Sequence, residues 1–330
     1  MGSLEYCIGK CRERKGVVVF SDAEDVRVVR AAARLLREDL IDPVLVGQPD
    51  KIRDILIESG ETGVALRVVN PLVSALRDRN AADYLAVQKA KGKAPSEEEA
   101  FKAAGNPLVA GALMVRRGEA EIGVAGNLST TADVIRQGLR VLGTAPGIKS
   151  VSSVFYMIKG ETTYVFSDCG VIPDPTAEQL AEIAVSAAKA FRTVVSDTPR
   201  VALLSFSTKG SANHPRIDKV REAVDILHRT VPDLIADGEL QYDAAAVPEV
   251  ASRKAPGSPV DGRANVFVFP SLEAGNIAYK LTQYFGGYAA LGPMLQGFAK
   301  GWYDLSRGCS SEDIYQVAAV GMTMSRGGTR

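Results

Sequence analysis

Apolar residues recur along this chain in two alternating rhythms. Gly16-Val17-Val18-Val19-Phe20 is a short β-branched run of the kind that fits a strand buried on both faces. The next stretch, Ala23 to Asp39, spaces Val26, Val29, Ala33, Leu36 and Leu40 at three- and four-residue steps, which predicts an amphipathic helix. Pro43-Val44-Leu45-Val46-Gly47 then reads as a second strand. Strand, helix and strand within about 30 residues form one βαβ unit, and so a parallel sheet with helices on its faces. The rhythm returns in Glu121–Ala125 with a helix from Thr131 to Leu142, in Val201–Phe206 with helix Arg216–Val231, and in Asn265–Phe269 with helix Ala274–Phe285. Val151–Ile158 and Thr163–Ser167 differ: only a short Lys-Gly-Glu gap separates these β-rich runs, which predicts an antiparallel hairpin. The pattern predicts two α/β lobes with a cleft between them. The chain crosses near Pro146-Gly147 and returns near Gly297–Gly301, and a last helix runs from Ser311 to Ser325. This assigns 1–147 with 300–330 to one domain and 148–299 to the other.

Composition narrows the class. At 330 residues, 46% hydrophobic and 24% charged, the chain has the length and make-up of two globular domains. Lys+Arg and Asp+Glu both number 39, so no global basic field draws in nucleic acid. No apolar run approaches the ~18 residues of a membrane helix. The opening Met1-Gly2-Ser3-Leu4-Glu5-Tyr6 does not read as a signal peptide. Cys7, Cys11, Cys169 and Cys309 are too scattered for a disulfide framework, and two histidines, His214 and His228, are too few to complete a zinc site. The expectation is a soluble cytoplasmic protein with reduced thiols and no metal.

In parallel sheets ligands gather beyond the carboxyl ends of strands, so the loops there carry the candidate chemistry. Neither G-x-x-x-x-G-K-[ST] nor G-x-G-x-x-G occurs, which removes the usual nucleotide signatures. Three loops are rich in anion-binding groups. In Gly126-Asn127-Leu128-Ser129-Thr130-Thr131, with Arg136 one turn into the helix, the hydroxyls and helix-start N–H groups suit a phosphate; helix capping by Ser129 or Thr130 is the alternative. Ser205 to His214 offers Ser207, Thr208 and Lys209 directly after a strand, as an anion cradle or as a plain polar loop. In Asp304-Leu305-Ser306-Arg307-Gly308-Cys309-Ser310-Ser311-Glu312-Asp313, Arg307 can grip a phosphoryl group while Ser306 donates and Asp313 accepts a proton. Yet Ser310-x-x-Asp313 is also a capping-box spacing. Cys309 has no histidine near it in sequence to serve as base, so it reads as a structural thiol rather than a nucleophile.

That third loop, preceded by Gly292-Pro293-Met294-Leu295-Gln296-Gly297, closely resembles the C-terminal signature of the phosphate acetyltransferases (phosphotransacetylases). Asp168-Cys169 with Pro173-Asp174-Pro175-Thr176-Ala177-Glu178-Gln179-Leu180-Ala181, Asp237–Ala245, Lys254-Ala255-Pro256 and Asn265–Asn276 are similarly family-like, in the correct order. Asn127-Leu128 and Ser271–Ile277 resemble the short branch associated with ethanolamine utilisation. The resemblance implies two three-layer α/β/α domains with an interdomain active-site cleft, of isocitrate/isopropylmalate dehydrogenase-like architecture, in a homodimer. It implies reversible acetyl transfer between acetyl phosphate and coenzyme A, with inorganic phosphate as the other partner, no resident cofactor, no metal, no nucleic acid and no membrane. A bacterial microcompartment is a second setting open to that branch. Ser306, Arg307 and Asp313 match the family's functional Ser, Arg and Asp. Arg136 matches a phosphate-binding Arg, aided in this reading by Ser129, Thr130, Ser207 and Thr208. Gln88, in Val87-Gln88-Lys89-Ala90-Lys91-Gly92, stands where many members have an Arg, which leaves one cationic contact to coenzyme A unassigned. The alternatives are a propionyl- or butyryl-transferring relative and a non-catalytic acetyl-CoA-sensing domain.

Overall fold

The structure, a computed structural model, describes residues 2–61 and 63–327. The chain begins with helix α1 (Ser3–Glu13), followed by β1 (Val17–Phe20), α2 (Val26–Arg37), β2 (Asp42–Val46), α3 (Pro49–Glu58) and β3 (Arg67–Val69). Helices α4 (Ser74–Ala90), α5 (Glu97–Ala104) and α6 (Pro107–Arg117) lead to β4 (Ile122–Ala125) and α7 (Thr131–Val141). Next come β5 (Ser152–Lys159), β6 (Thr162–Ser167), α8 (Ala177–Val195), β7 (Val201–Leu204), α9 (Pro215–Thr230) and β8 (Ala236–Leu240). Then α10 (Tyr242–Ala246), α11 (Pro248–Lys254), β9 (Val266–Val268), α12 (Leu272–Tyr284), β10 (Ala289–Gln296), β11 (Gly301–Asp304) and α13 (Ser311–Arg326) complete the chain.

Two compact units result, one from Leu4–Gly147 with the stretch from Phe298 onward, the other from Ile148–Gly297 with the first residues of the chain. The first unit holds a five-stranded sheet in the order β11-β4-β1-β2-β3, parallel throughout. The second holds six strands, β10-β5-β6-β9-β7-β8, in which β6, β9, β7 and β8 run parallel while β5 pairs antiparallel with both β6 and β10. The β5–β6 hairpin predicted from the short Lys-Gly-Glu gap is present, with Val154 opposite Ser167 and Lys159 opposite Thr162.

In the first unit the Val-rich β1 is buried to its end, and Phe20 is 1% exposed. Helix α2 departs from the predicted face in a telling way. Asp25 accepts from the Arg27 N–H at 2.8 Å and caps the helix, so helical structure starts at Val26, two-fifths of which remains exposed. The buried face runs through Val28, Val29, Ala32 and Leu35, because α2 packs against α13 as well as the sheet. On the other sheet face Trp302 of β11 is fully buried and donates its indole N–H to Val134 O at 3.0 Å. Its ring lies where a Cβ on Gly123 or Gly138 would come within 2.7 Å of it, so those glycines let β4 and α7 close on the indole. The second unit packs Phe155, Phe166, Phe267 and Phe269 into one core, with Phe166 and Phe267 edge to face at 5.6 Å.

This topology decides where chemistry can sit in the first unit. β11, β4 and β1 are parallel neighbours, so the loops after Asp304, Ala125 and Phe20 emerge side by side at one edge of the sheet.

Candidate active site

The loop after β4 is held by a carboxylate from the loop after β1. Asp22 Oδ2 accepts from the N–H groups of Gly126 (2.8 Å), Leu128 (3.3 Å) and Ser129 (2.9 Å), while Oδ1 accepts from Ser129 Oγ at 2.7 Å. The N–H groups that the sequence offered to a phosphate therefore already surround an internal anion. Thr130 is the N-cap of α7, accepting from Asp133 N at 3.1 Å and donating to Asp133 Oδ2 at 2.8 Å. Arg136 pairs with Asp133 Oδ1 at 2.5 Å, with the arginine side chain 53% exposed. Exposed pairs of this kind contribute ~0–1 kcal/mol, so Arg136 can exchange that partner for an incoming anion at little cost.

Beside it, the loop after β11 presents Ser306 and Arg307 to solvent. Arg307 makes no side-chain hydrogen bond or ion pair among the described residues. Its backbone is pinned instead: Arg27 Nη1 donates to Arg307 O and Cys309 O, both at 2.8 Å, and Nη2 donates to Asn127 O at 3.2 Å. The same guanidinium grips Asp25 through Nε and Nη2, and Asn127 Nδ2 donates to Asp22 O and Asp25 Oδ2. One Arg-Asp-Asn network thus joins all three loops. Burial alone would push the Asp25 carboxyl up, but the Arg27 bonds and the Asn127 amide hold it below its ordinary value.

Asp313 sits at the third position of α13 and forms a complete capping box. Its Oδ2 accepts from Ser310 N (2.7 Å) and Ser310 Oγ (2.8 Å), while its own N–H donates back to Ser310 Oγ at 3.1 Å. That leaves Oδ1 outside the box, on an exposed residue four positions from Ser310's neighbour Cys309. Cys309 is 7% exposed, and burial, opposed by Arg27, pushes its thiol up to about 11, as a structural thiol requires.

Ser207 and Thr208 lie in the second unit, in a loop that likewise encloses an internal carboxylate. Ser207 Oγ and the Gly210 N–H each donate to Glu239 Oε1 at 2.9 Å, and Arg221 grips Glu239 through Nε and Nη2 at 3.0 Å. Burial works to raise the Glu239 carboxyl, yet these donors hold it at about 2. Thr208 Oγ1 accepts from Gln241 N at 2.9 Å, and Lys209 pairs with Asp237. Of the candidate residues, Ser129, Thr130, Arg136, Ser306, Arg307 and Asp313 belong to the first unit; Ser207 and Thr208 do not.

A family model described as phosphate acetyl/butaryl transferase matches residues 3–322. The chain belongs to that family. A phosphate acetyltransferase of Thermoanaerobacterium thermosaccharolyticum is 43% identical over 326 residues, covering 97% of this chain and 98% of the relative. Among solved structures, a phosphotransacetylase from Streptococcus pyogenes superposes with a TM-score of 0.91 at 42% identity, covering 99% of each chain. The EutD phosphotransacetylase from Staphylococcus aureus gives 0.89 at 39% identity, covering 98% of each. The sequence resemblance is thereby shown: this is an enzyme of the transferase class, a phosphate acetyltransferase on an α/β fold. Among the described residues no helix is long and apolar enough to cross a membrane, and no group of three His, Cys, Asp or Glu side chains gathers to hold a metal.

Against this family background, the residues that the sequence reading did not single out are Asp22, Asp25, Arg27 and Thr131, together with the side chain of Asp304. An acid-rich Asp22-Ala23-Glu24-Asp25 run directly after a buried strand was the available signal, since carboxylates at a strand's carboxyl end must find donors. Which donors they find depends on β4 and β11 lying beside β1.

Proposed function

We propose that this enzyme transfers acetyl reversibly between acetyl phosphate and coenzyme A by direct attack with both substrates bound, without a resident cofactor. The observation that carries the reading is Arg307: an exposed guanidinium with no partner among the described residues, its backbone clamped by Arg27, directly after Ser306. Such a group is ready for bidentate contact with a phosphoryl oxygen pair. Arg136 joins it by leaving Asp133, and Ser129 and Thr130 line the same edge of the sheet. Asp313 Oδ1 takes the thiol proton, the thiolate sulfur forms a bond to the acetyl carbon, and the carbon–oxygen bond to phosphate breaks. Inorganic phosphate then departs with the electron pair. Ser306 donates a hydrogen bond to the oxyanion or to the phosphate, and holding two substrates together removes several kcal/mol of the barrier.

The working form in this reading is a homodimer. Helix α12 leaves Ile277, Leu281, Tyr284 and the following Phe285 between 50% and 89% exposed, spaced as one helical face beside the sheet-edge strand β10. A second copy covers such a face. The buried cysteines, all unpaired, suit a reducing cytoplasm.

The test is thioester formation from acetyl phosphate and coenzyme A, with chelator present and Arg307→Ala alongside. Rapid synthesis by the wild type and a KM for acetyl phosphate raised at least tenfold in the variant are expected. Unchanged kinetics in the variant would remove Arg307 from the phosphate site. Faster turnover of butyryl phosphate than acetyl phosphate would reassign the acyl group.

A further inference from the structure

Asp304 is the last residue of β11, is fully buried, and stands two positions before Ser306. Its Oδ2 accepts from Thr131 Oγ1 at 2.6 Å, and Thr131 opens α7 directly after Ser129 and Thr130. Its Oδ1 is buried with no hydrogen-bond partner. Against that oxygen lies the backbone of Gly126, at φ +106°, so close that a Cβ there would fall 2.2 Å from Oδ1 and 2.7 Å from the Leu305 backbone. Two acids therefore flank the 126–131 turn. Asp22 has four donors; Asp304 has the one Thr131 hydroxyl and a bare oxygen.

We propose that Asp304 is a positioning residue that works as a buried neutral acid: it ties the Ser129–Thr130 turn to the Ser306–Arg307 turn through Thr131, and its ionisation weakens the enzyme's hold on acyl phosphate. This rests on the phosphate site proposed above. A carboxylate with one donor is poorly solvated in a dry site, whereas a carboxylic acid tolerates it. Burial, with the Asp22 charge adding to it, pushes the Asp304 carboxyl up to about 7, against the pull of the Thr131 hydroxyl. Arg307, three residues along the same loop, is exposed to solvent, and the other titratable groups on the surrounding elements are committed elsewhere. Asp25 holds Arg27, Asp133 on α7 holds Arg136 and Thr130, Asp313 on α13 is in its capping box, and the Tyr303 hydroxyl donates to Gly321 O. Among the described residues no cationic group pairs with Asp304, so a proton is what keeps two neighbouring acids from repelling each other. Losing it places an uncompensated negative charge beneath the edge where the dianionic phosphoryl group is to bind.

The experiment measures KM for acetyl phosphate at saturating coenzyme A from pH 6 to pH 8, where acetyl phosphate itself stays fully ionised. The wild-type KM is expected to rise about three- to tenfold across that range, with a smaller change in kcat. Asp304→Asn keeps an acceptor for Thr131 and cannot ionise; its KM is expected to stay flat and near the wild-type value at pH 6. Thr131→Val is expected to raise KM at both pH values, and Thr131→Ser to restore it. An infrared carboxyl band that disappears between pH 6 and 8 in the wild type and is missing from Asp304→Asn reports the proton directly, independent of catalysis. A KM rise in Asp304→Asn equal to the wild type's, or no such band, overturns the assignment. The Arg307→Ala kinetics judge the phosphate site separately, because the infrared result does not depend on it. Should Asp304→Asn fail to fold, the Thr131 pair and the wild-type infrared titration still decide: Thr131→Val kinetics like those of wild type would overturn the tie.

Discussion

Replacing Arg27 with Met removes the clamp across the three loops and leaves most of the side-chain volume. In the wild type the Arg27 side chain is 27% exposed and its partner Asp25 8% exposed. Breaking a buried pair by removing one member costs ~3–5 kcal/mol, mostly because the remaining charge is stranded. Solvent reaches a quarter of this side chain, so the pair is expected to account for the lower part of that range, about 3 kcal/mol. The carbonyls of Arg307, Cys309 and Asn127 also lose donors. Water can replace the donor at exposed Arg307, so these add only about 1 kcal/mol together. A loss of about 3–4 kcal/mol is therefore expected in urea denaturation at pH 7, with kcat falling about 10- to 100-fold as the Ser306–Arg307 turn loosens. The double variant Arg27→Met, Asp25→Asn is expected to recover at least 1 kcal/mol, since it removes the stranded charge. The pH dependence has a definite sign. Asp25 is depressed in the native wild type, so its contribution is present above about pH 4, its ordinary range, and is lost as pH falls through the lower native value. The gap between wild type and Arg27→Met should accordingly narrow below about pH 4. A single variant within 0.5 kcal/mol of wild type, with no recovery in the double variant, would refute the clamp.

Two further outcomes separate structural from chemical roles. Asp313→Asn retains an acceptor for the Ser310 cap and is expected to lower kcat at least 100-fold with a change in unfolding free energy below about 1 kcal/mol; Ser310→Ala is expected to cost about 1 kcal/mol of stability while sparing more of the activity. Comparable losses of kcat in both variants would show that the cap, not the proton, matters at that helix start. In the second unit, Glu239 is held at about 2, so its contribution to stability is complete above about pH 4.5 and is lost as pH falls toward 2. Glu239→Gln should erase that acid-sensitive component and destabilise the protein at pH 7, read from denaturation curves at pH 3 and pH 7. An unaltered pH 7 midpoint would show the Arg221 pair to be inconsequential.

Much of the architecture was written in local pattern. The strand-helix-strand rhythm, the hairpin at Lys159-Gly160-Glu161 and the capping box at Ser310 and Asp313 all depend on neighbours a few residues apart, where periodicity and side-chain reach suffice. The long, ordered motifs from Asp168 to Asp313 carried the family and therefore the reaction class. What the linear order withheld was the pairing of partners 100 to 280 residues apart. Asp22 finds Ser129, Arg27 finds the carbonyl of Arg307, and Thr131 finds Asp304 because β11, last in the chain, enters the sheet beside β4, which itself lies beside β1. For the same reason the hydroxyl-rich loops, which the sequence left open between anion cradles and helix caps or plain polar loops, fold around carboxylates of their own chain. A buried acid needs donors wherever the tertiary structure supplies them, and that demand has no period in the sequence.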